Sequence, residues 1–161
     1  MFCLQDQSAF LEPLLADPRV KKIVLRRENR VATCASVLRS SVTGSYIKQN
    51  LDHVKVSISP RDLAAFVQGY DGYYAFLRER MAGQSWLELT YEGLIAEKEN
   101  EIQRVCDWLD VDVQNGVSVL DLGVERDVVR QNTRSLRESV ENYEQLRAAF
   151  IGTDVAADFD A

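Results

Sequence analysis

The stretch Lys21–Ser41, KKIVLRRENRVATCASVLRSS, decides the fold. It opens on a short apolar run, Ile23-Val24-Leu25, which Arg26 and Arg27 close. The period then changes. Val31, Cys34, Ala35 and Leu38 recur at helical spacing and define one apolar face. Asn29 stands just ahead of that run, where a side-chain oxygen can accept from an unpaired helix N–H. The stretch predicts strand, tight turn and helix, with the helix over 30–40 packed through those four residues on a central strand at 23–25.

The opposite face of the same helix carries Asn29, Thr33, Ser36 and Ser40. At about 100° per residue they form one narrow polar stripe. The stripe runs back to the helix N-terminus, where free N–H groups and the macrodipole favour an anion. Arg26 and Arg27 arrive there from the strand, and a planar guanidinium beside hydroxyls suits a phosphate. A solvated helix face next to ordinary strand-end arginines satisfies the same pattern, so both readings stand.

The rest of the chain alternates strand and helix signals. Met1–Leu4 reads as a short strand and 8–15 as a short helix ended by Asp17-Pro18. His53–Ile58 alternates apolar and polar residues and reads as a strand, with His53, the one histidine, structural. Ser59-Pro60-Arg61-Asp62 opens a helix whose apolar stripe is Leu63, Phe66, Val67, Tyr70, Tyr74, Leu77 and Met81. Gly69 and Gly72 lie inside that helix and either weaken it or allow close packing. Trp86–Thr90 reads as a further strand, and 97–109 as a strongly amphipathic helix. Val111–Leu122 gives no clear assignment and Val128–Thr133 reads as a polar loop. Asn142 with Gln145 reads as a capping box for a last short helix over 143–150. This order predicts a mostly parallel α/β sheet flanked by helices, one domain over 1–153, and a frayed acidic tail over 154–161.

Composition narrows the function. The 161 residues suffice for one core, and 46% are hydrophobic. Nineteen basic against 25 acidic residues give a net charge of −6, which disfavours general nucleic-acid binding. Basic clusters at 26–30 and 126–137 suit a small anionic ligand better than a polyanion. The three cysteines, Cys3, Cys34 and Cys106, form no C-x-x-C pair. Buried reduced thiols in a reducing compartment are expected. No apolar run reaches the length of a membrane span and no leader pattern is visible, so a cytoplasmic protein is the default. Nothing in the spacing of His, Cys, Asp and Glu suggests a metal site, and self-association is left open.

The apolar strand, arginine, asparagine and helix serine of 23–36 resemble the 3′-phosphate-binding segment of sulfotransferases that use 3′-phosphoadenosine 5′-phosphosulfate (PAPS), in their bacterial and carbohydrate-type branch. By that resemblance Arg27, Asn29 and Ser36 would hold the 3′-phosphate, with Arg26 the alternative to Arg27. Glu28 departs from the pattern. WLELTYEGLIAEKENEIQRVCDWLDV resembles the family's strand ending in Tyr-Glu followed by a helix, which would put Tyr91 near the adenine. RQNTRSLRESVENYEQLRAAFIGT resembles the C-terminal segment of the branch, where Arg130 would return to the 3′-phosphate, with Arg126 and Arg134 as rivals.

The resemblance implies a P-loop-NTPase-like sulfotransferase fold. It also implies PAPS as donor, adenosine 3′,5′-bisphosphate as product and a hydroxyl acceptor of unspecified kind. The family's first strand and phosphosulfate loop have no counterpart in residues 1–161, which hold no Gly-Lys-Ser/Thr element. The expectation is a chain corresponding to the C-terminal two-thirds of the fold, inactive alone. Asp6 is a stand-in candidate for the general base. The competing expectations are a non-catalytic nucleotide-binding or interaction module on that scaffold and a small structural or regulatory α/β protein.

Overall fold

A computed structural model describes residues 8–44, 51–111 and 134–160. The elements in chain order are α1 (Ser8–Ala16), β1 (Ile23–Arg26), α2 (Arg30–Thr43), α3 (Pro60–Arg80), β2 (Leu87–Thr90), α4 (Tyr91–Ala96), α5 (Lys98–Leu109), α6 (Leu136–Ser139), α7 (Tyr143–Ala149) and a 3-10 turn at Ala156–Phe159. The chain divides into two compact units, Met1–Arg27 with Asp71–Gly116, and Glu28–Tyr70 with Val117–Ala161. Neither is continuous in sequence. The expected strand at Met1–Leu4, all of the unassigned Val111–Leu122 but Val111 itself, and the loop Val128–Thr133 lie outside the described residues.

In the first unit β1 and β2 pair in parallel, in the register Ile23↔Leu87, Val24↔Glu88, Leu25↔Leu89 and Arg26↔Thr90. Parallel neighbours need a long crossover, and here it is the whole stretch that contains α2 and α3. Among the described residues the sheet has these two strands, and β1 is paired with β2 on one side. Leu15, Leu77 and Met81 are buried, with Leu11, Val24, Tyr73, Tyr74, Phe76 and Trp86 packed against them.

A buried lysine ties this unit together. The Lys22 ammonium donates to the carbonyls of Asp17 (2.7 Å) and Val20 (3.1 Å) and to Gln84 Oε1 (2.6 Å). Its three donors therefore find three acceptors, which is what a buried cation requires. Gln84 Nε2 donates in turn to the Leu15 carbonyl at 3.0 Å, so the end of α1, the start of β1 and the turn after α3 meet at one side chain.

In the second unit α2 begins as its sequence demands. Asn29 Oδ1 accepts from Ala32 N at 2.7 Å, and Gly44 ends the helix at φ 66°, in the left-handed region that glycine occupies without a Cβ clash. Val31, Cys34 and Ala35 are buried and Leu38 partly so. Their core partners are Val56, Ile58, Leu63, Val67, Val140, Tyr143, Leu146, Phe150, Val155 and Phe159. The apolar face of α2 is thus the one expected, but it is satisfied by the segments around α3, α6 and α7 rather than by a strand surface.

Four further expectations are corrected here. His53–Ile58 does not form a strand: Val56 alone makes a parallel bridge, to Val140, through Val56 N to Ser139 O (3.1 Å) and Glu141 N to Val56 O (2.9 Å). His53 itself is solvent-exposed. Asn142 precedes α7 without capping it. Its carboxamide instead pairs both ways with the Ile58 backbone, accepting from Ile58 N at 3.0 Å and donating to Ile58 O at 2.8 Å. The C-terminal segment does not fray, because Val155 and Phe159 are apolar enough to enter the core and its carboxylates find Arg30. Gly69 and Gly72 lie within α3, and a Cβ at either would meet nothing within 4 Å, so close packing is not their reason.

A capping box at α6 was not anticipated. Ser135 Oγ accepts from Glu138 N, and the Glu138 carboxylate accepts from Ser135 N at 3.0 Å. The hydrogen bond from Ser135 holds the Glu138 carboxyl below its usual range. The signal was the plain sequence Ser-Leu-Arg-Glu.

Candidate functional site

Strand register builds the first group. Because Arg26 is level with Thr90, the next residues, Arg27 and Tyr91, leave the carboxyl ends of neighbouring parallel strands side by side. The carboxyl edge of a parallel sheet is where α/β proteins place ligands. The Arg27 guanidinium carbon lies 4.7 Å from the centre of the Tyr91 ring, and Arg27 Nε lies 3.7 Å from Glu92 Oε1. The ring face and the Glu92 carboxylate together hold the guanidinium at the strand ends as a cation–π and ion-pair partner.

Arg26 points elsewhere. Its guanidinium sits 5.4 Å from the Tyr74 ring and its Nη2 lies 3.4 Å from Asp71 Oδ1. The Tyr74 hydroxyl donates to the Leu25 carbonyl at 2.9 Å, which pins α3 to β1 just before the two arginines. The two arginines therefore have separate aromatic platforms. The sequence pattern places Tyr74 in a core stripe and pairs neither arginine with a ring.

Tyr91 begins α4 because of its neighbours. Thr90 Oγ1 accepts from Gly93 N at 3.0 Å and caps the helix. A Cβ on Gly93 would lie 2.9 Å from that same oxygen, so cap and glycine form one device that turns the chain sharply after β2.

The second group lies at the start of α2. Asn29 uses its carboxamide twice, accepting from Ala32 N and donating from Nδ2 to the Asp158 carbonyl at 2.8 Å. The Thr33 hydroxyl donates back to the Asn29 carbonyl at 2.8 Å, so it is committed within the helix. Ser40 is buried, while Ser36 is half-buried one turn after Thr33. Of the polar stripe, then, Ser36 is the hydroxyl that is neither bonded within the helix nor buried. Arg134 is exposed, its backbone N–H 3.4 Å from Asp52 Oδ1. Arg130, Arg126 and Asp6 lie outside the described residues. Among the described residues no group of three or more His, Cys, Asp or Glu is placed to hold a metal ion.

Cys34 and Cys106 are buried and reduced. Burial, and secondarily the negative charge of Asp62, pushes the Cys34 thiol up to about 11, which makes it a packing residue rather than a nucleophile.

Residues 11–115 match the family model described as "Sulfotransferase family". The chain belongs to the sulfotransferase family. The match spans β1, α2, α3, β2 and α4, and so includes Arg27, Asn29, Ser36 and Tyr91. The mixed α/β arrangement with its small parallel sheet is consistent with a sulfotransferase fold. Over 142 residues this sulfotransferase-family chain is 24% identical to Nodulation protein H of Rhizobium tropici, covering 86% of the chain and 55% of that relative. The chain thus spans about half the length of the curated relative it matches. No solved structure matches it. Among the described residues no helix is long and apolar enough to cross a membrane.

Proposed function

We propose that this sulfotransferase-family chain binds PAPS, and its product adenosine 3′,5′-bisphosphate, and serves sulfuryl transfer to a hydroxyl acceptor. The observation that carries the reading is the placement of Arg27 on the Tyr91 ring at the carboxyl ends of β1 and β2. In this reading Arg27 takes the 3′-phosphate as a charge-assisted, two-pronged donor, and Tyr91 offers a ring near the adenine. Asn29, Ser36 and Arg130 carry the further 3′-phosphate contacts that the family resemblance assigns to them.

The chemistry is a displacement at sulfur. The acceptor oxygen forms a bond to the sulfuryl sulfur as the bond to the phosphate oxygen breaks. The acceptor proton goes to a base, and adenosine 3′,5′-bisphosphate leaves. Such a step needs a positioned base and fixed donors on the developing charge. Asp6 is the base candidate that residues 1–161 offer, and the loop cradling the 5′ end has no Gly-Lys-Ser/Thr counterpart in them. The second reading is a nucleotide-binding module without turnover of its own, and it rests on the same placement of Arg27 on Tyr91.

Binding is tested first, by thermal unfolding with adenosine 3′,5′-bisphosphate. At ligand near 100 times Kd the expected stabilisation is about 2.7 kcal/mol, with adenosine alone giving far less. No stabilisation at millimolar nucleotide sinks both readings.

A further inference from the structure

The last residues of the chain reach back to the first turn of α2 across 124 to 129 positions of sequence. Arg30, the first residue of that helix, has a side chain only 10% exposed. Its Nε donates to Asp158 Oδ2 at 2.7 Å, its Nη1 to Asp154 Oδ2 at 2.8 Å, and its Nη2 to the Asp154 carbonyl at 3.0 Å. A cation at a helix N-terminus opposes the macrodipole, and a buried one also loses its hydration. Both costs are offset here by carboxylates from the tail, so the first turn of α2 depends on a segment that its own sequence does not supply.

The tail has its own anchor. Phe159 is buried with its ring 5.6 Å from that of Tyr143 and 6.3 Å from that of Phe150. The Tyr143 hydroxyl donates to the Phe159 carbonyl at 2.6 Å. From that anchor the preceding carbonyl, Asp158 O, is presented to Asn29 Nδ2. The Asn29 carboxamide is then fixed at both ends, by the helix through Oδ1 and by the tail through Nδ2.

We infer that the segment Asp154–Phe159 is a clamp that sets the Asn29 carboxamide for nucleotide binding, with Arg30 and Asp158 as positioning residues. The inference rests on the nucleotide reading above. Its physical content is preorganisation. Asp158 is the more buried of the two carboxylates on Arg30, its side chain 13% exposed against 78% for Asp154, so its removal takes away the better-shielded counter-charge. The Asp158 carbonyl is then held from the Phe159 side alone, and the second anchor of Asn29 loosens. The ligand must order the carboxamide itself and binds more weakly for it.

The test is calorimetric titration of adenosine 3′,5′-bisphosphate into wild type, Asp158→Ala, Asn29→Ala and the double variant. Asp158→Ala is expected to bind about tenfold more weakly, with a wild-type circular dichroism spectrum and cooperative unfolding. In the Asn29→Ala background the same substitution should cost nothing further. Asp158→Asn, which keeps an oxygen acceptor, should lose less. Should Asp158→Ala not fold, Arg30→Lys carries the same cycle, since it keeps the charge and loses the fork. Undiminished affinity in Asp158→Ala, or equal losses with and without Asn29, would mean that the tail serves stability alone and would overturn the clamp while leaving the nucleotide reading in place. A wild type that does not bind overturns that reading first, and the clamp with it.

Discussion

Arg27 and Tyr91 meet because two parallel strands end level with each other: the guanidinium carbon stands 4.7 Å from the ring centre. Arg27→Ala should weaken adenosine 3′,5′-bisphosphate binding by about 10- to 150-fold, the range for a lost charged hydrogen bond. Tyr91→Ala should cost about 2- to 5-fold and Tyr91→Phe almost nothing, since the phenyl ring keeps the platform. Titration calorimetry on the three variants checks this. A full loss in Arg26→Ala with Arg27→Ala unchanged would move the phosphate to the neighbouring arginine.

A protein comprising residues 1–161 alone should show sulfuryl transfer at background. A group that grips only the remote 3′-phosphate binds ground and transition state equally and adds affinity without rate. A missing positioned base costs about 10²- to 10⁴-fold, and missing charge-stabilising donors about as much again. The assay is labelled PAPS with a panel of hydroxyl acceptors. Robust transfer would show the missing elements to be present in another form, and Asp6 would be the first residue to substitute.

Local signals were legible in the sequence where one helix or strand decided them. The face Val31-Cys34-Ala35, the Asn29 cap and the strands at 23–26 and 87–90 needed only period and capping chemistry. What could not be read was anything settled by a distant partner. Asn142 looks like a cap, but the Ile58 backbone offers it a matching donor and acceptor 84 residues away and wins. Lys22 looks like a surface lysine until Gln84 is placed beside it. The polar stripe Asn29-Thr33-Ser36-Ser40 was correctly a stripe, yet three of its members are spent on structure or burial, leaving Ser36.

Asn142→Ala should destabilise the protein by about 1–3 kcal/mol, because it leaves the Ile58 N–H and C=O without their partner beside a buried side chain. Asn142→Asp should also destabilise, since a carboxylate cannot donate to the carbonyl. Urea denaturation midpoints decide it. A change below about 0.5 kcal/mol for the alanine, the size of an ordinary surface substitution, would show that water takes over both bonds.

Cys34 should resist alkylation. With its thiol pushed up to about 11, the thiolate fraction at pH 8 is about 100-fold below that of a free cysteine, before access is considered. Iodoacetamide labelling followed by mass spectrometry should modify Cys34 only after denaturant is added. Prompt labelling of the native protein would contradict its burial.

Acid should loosen the C-terminal segment. The hydrogen bond and charge of Arg30 hold the Asp154 carboxyl below its ordinary value, and Arg19 does the same for Asp17. A carboxyl whose folded pKa is depressed adds stability that is complete above the unfolded value, near about 4, and lost as pH falls through the folded one. Stability should therefore be level with respect to these groups from about pH 5 upward and fall below about pH 4. Asp154→Asn should flatten part of that fall. A denaturation midpoint equal at pH 7 and pH 3 would contradict the assignment.

The discontinuity of the second unit sets a timetable for the ribosome. Val56, Ile58, Leu63 and Val67 are synthesised first, whereas Val140, Tyr143, Leu146 and Phe150, which cover them, follow more than 70 residues later. At about 5–20 residues per second, the Ile58 backbone waits about 4–17 s for Asn142 to exist. During that interval the nascent chain presents an apolar surface with no native cover. It is in this window, more than after release, that a holdase chaperone has a substrate in this protein, and a stop codon placed ahead of Val140 would make the interval permanent.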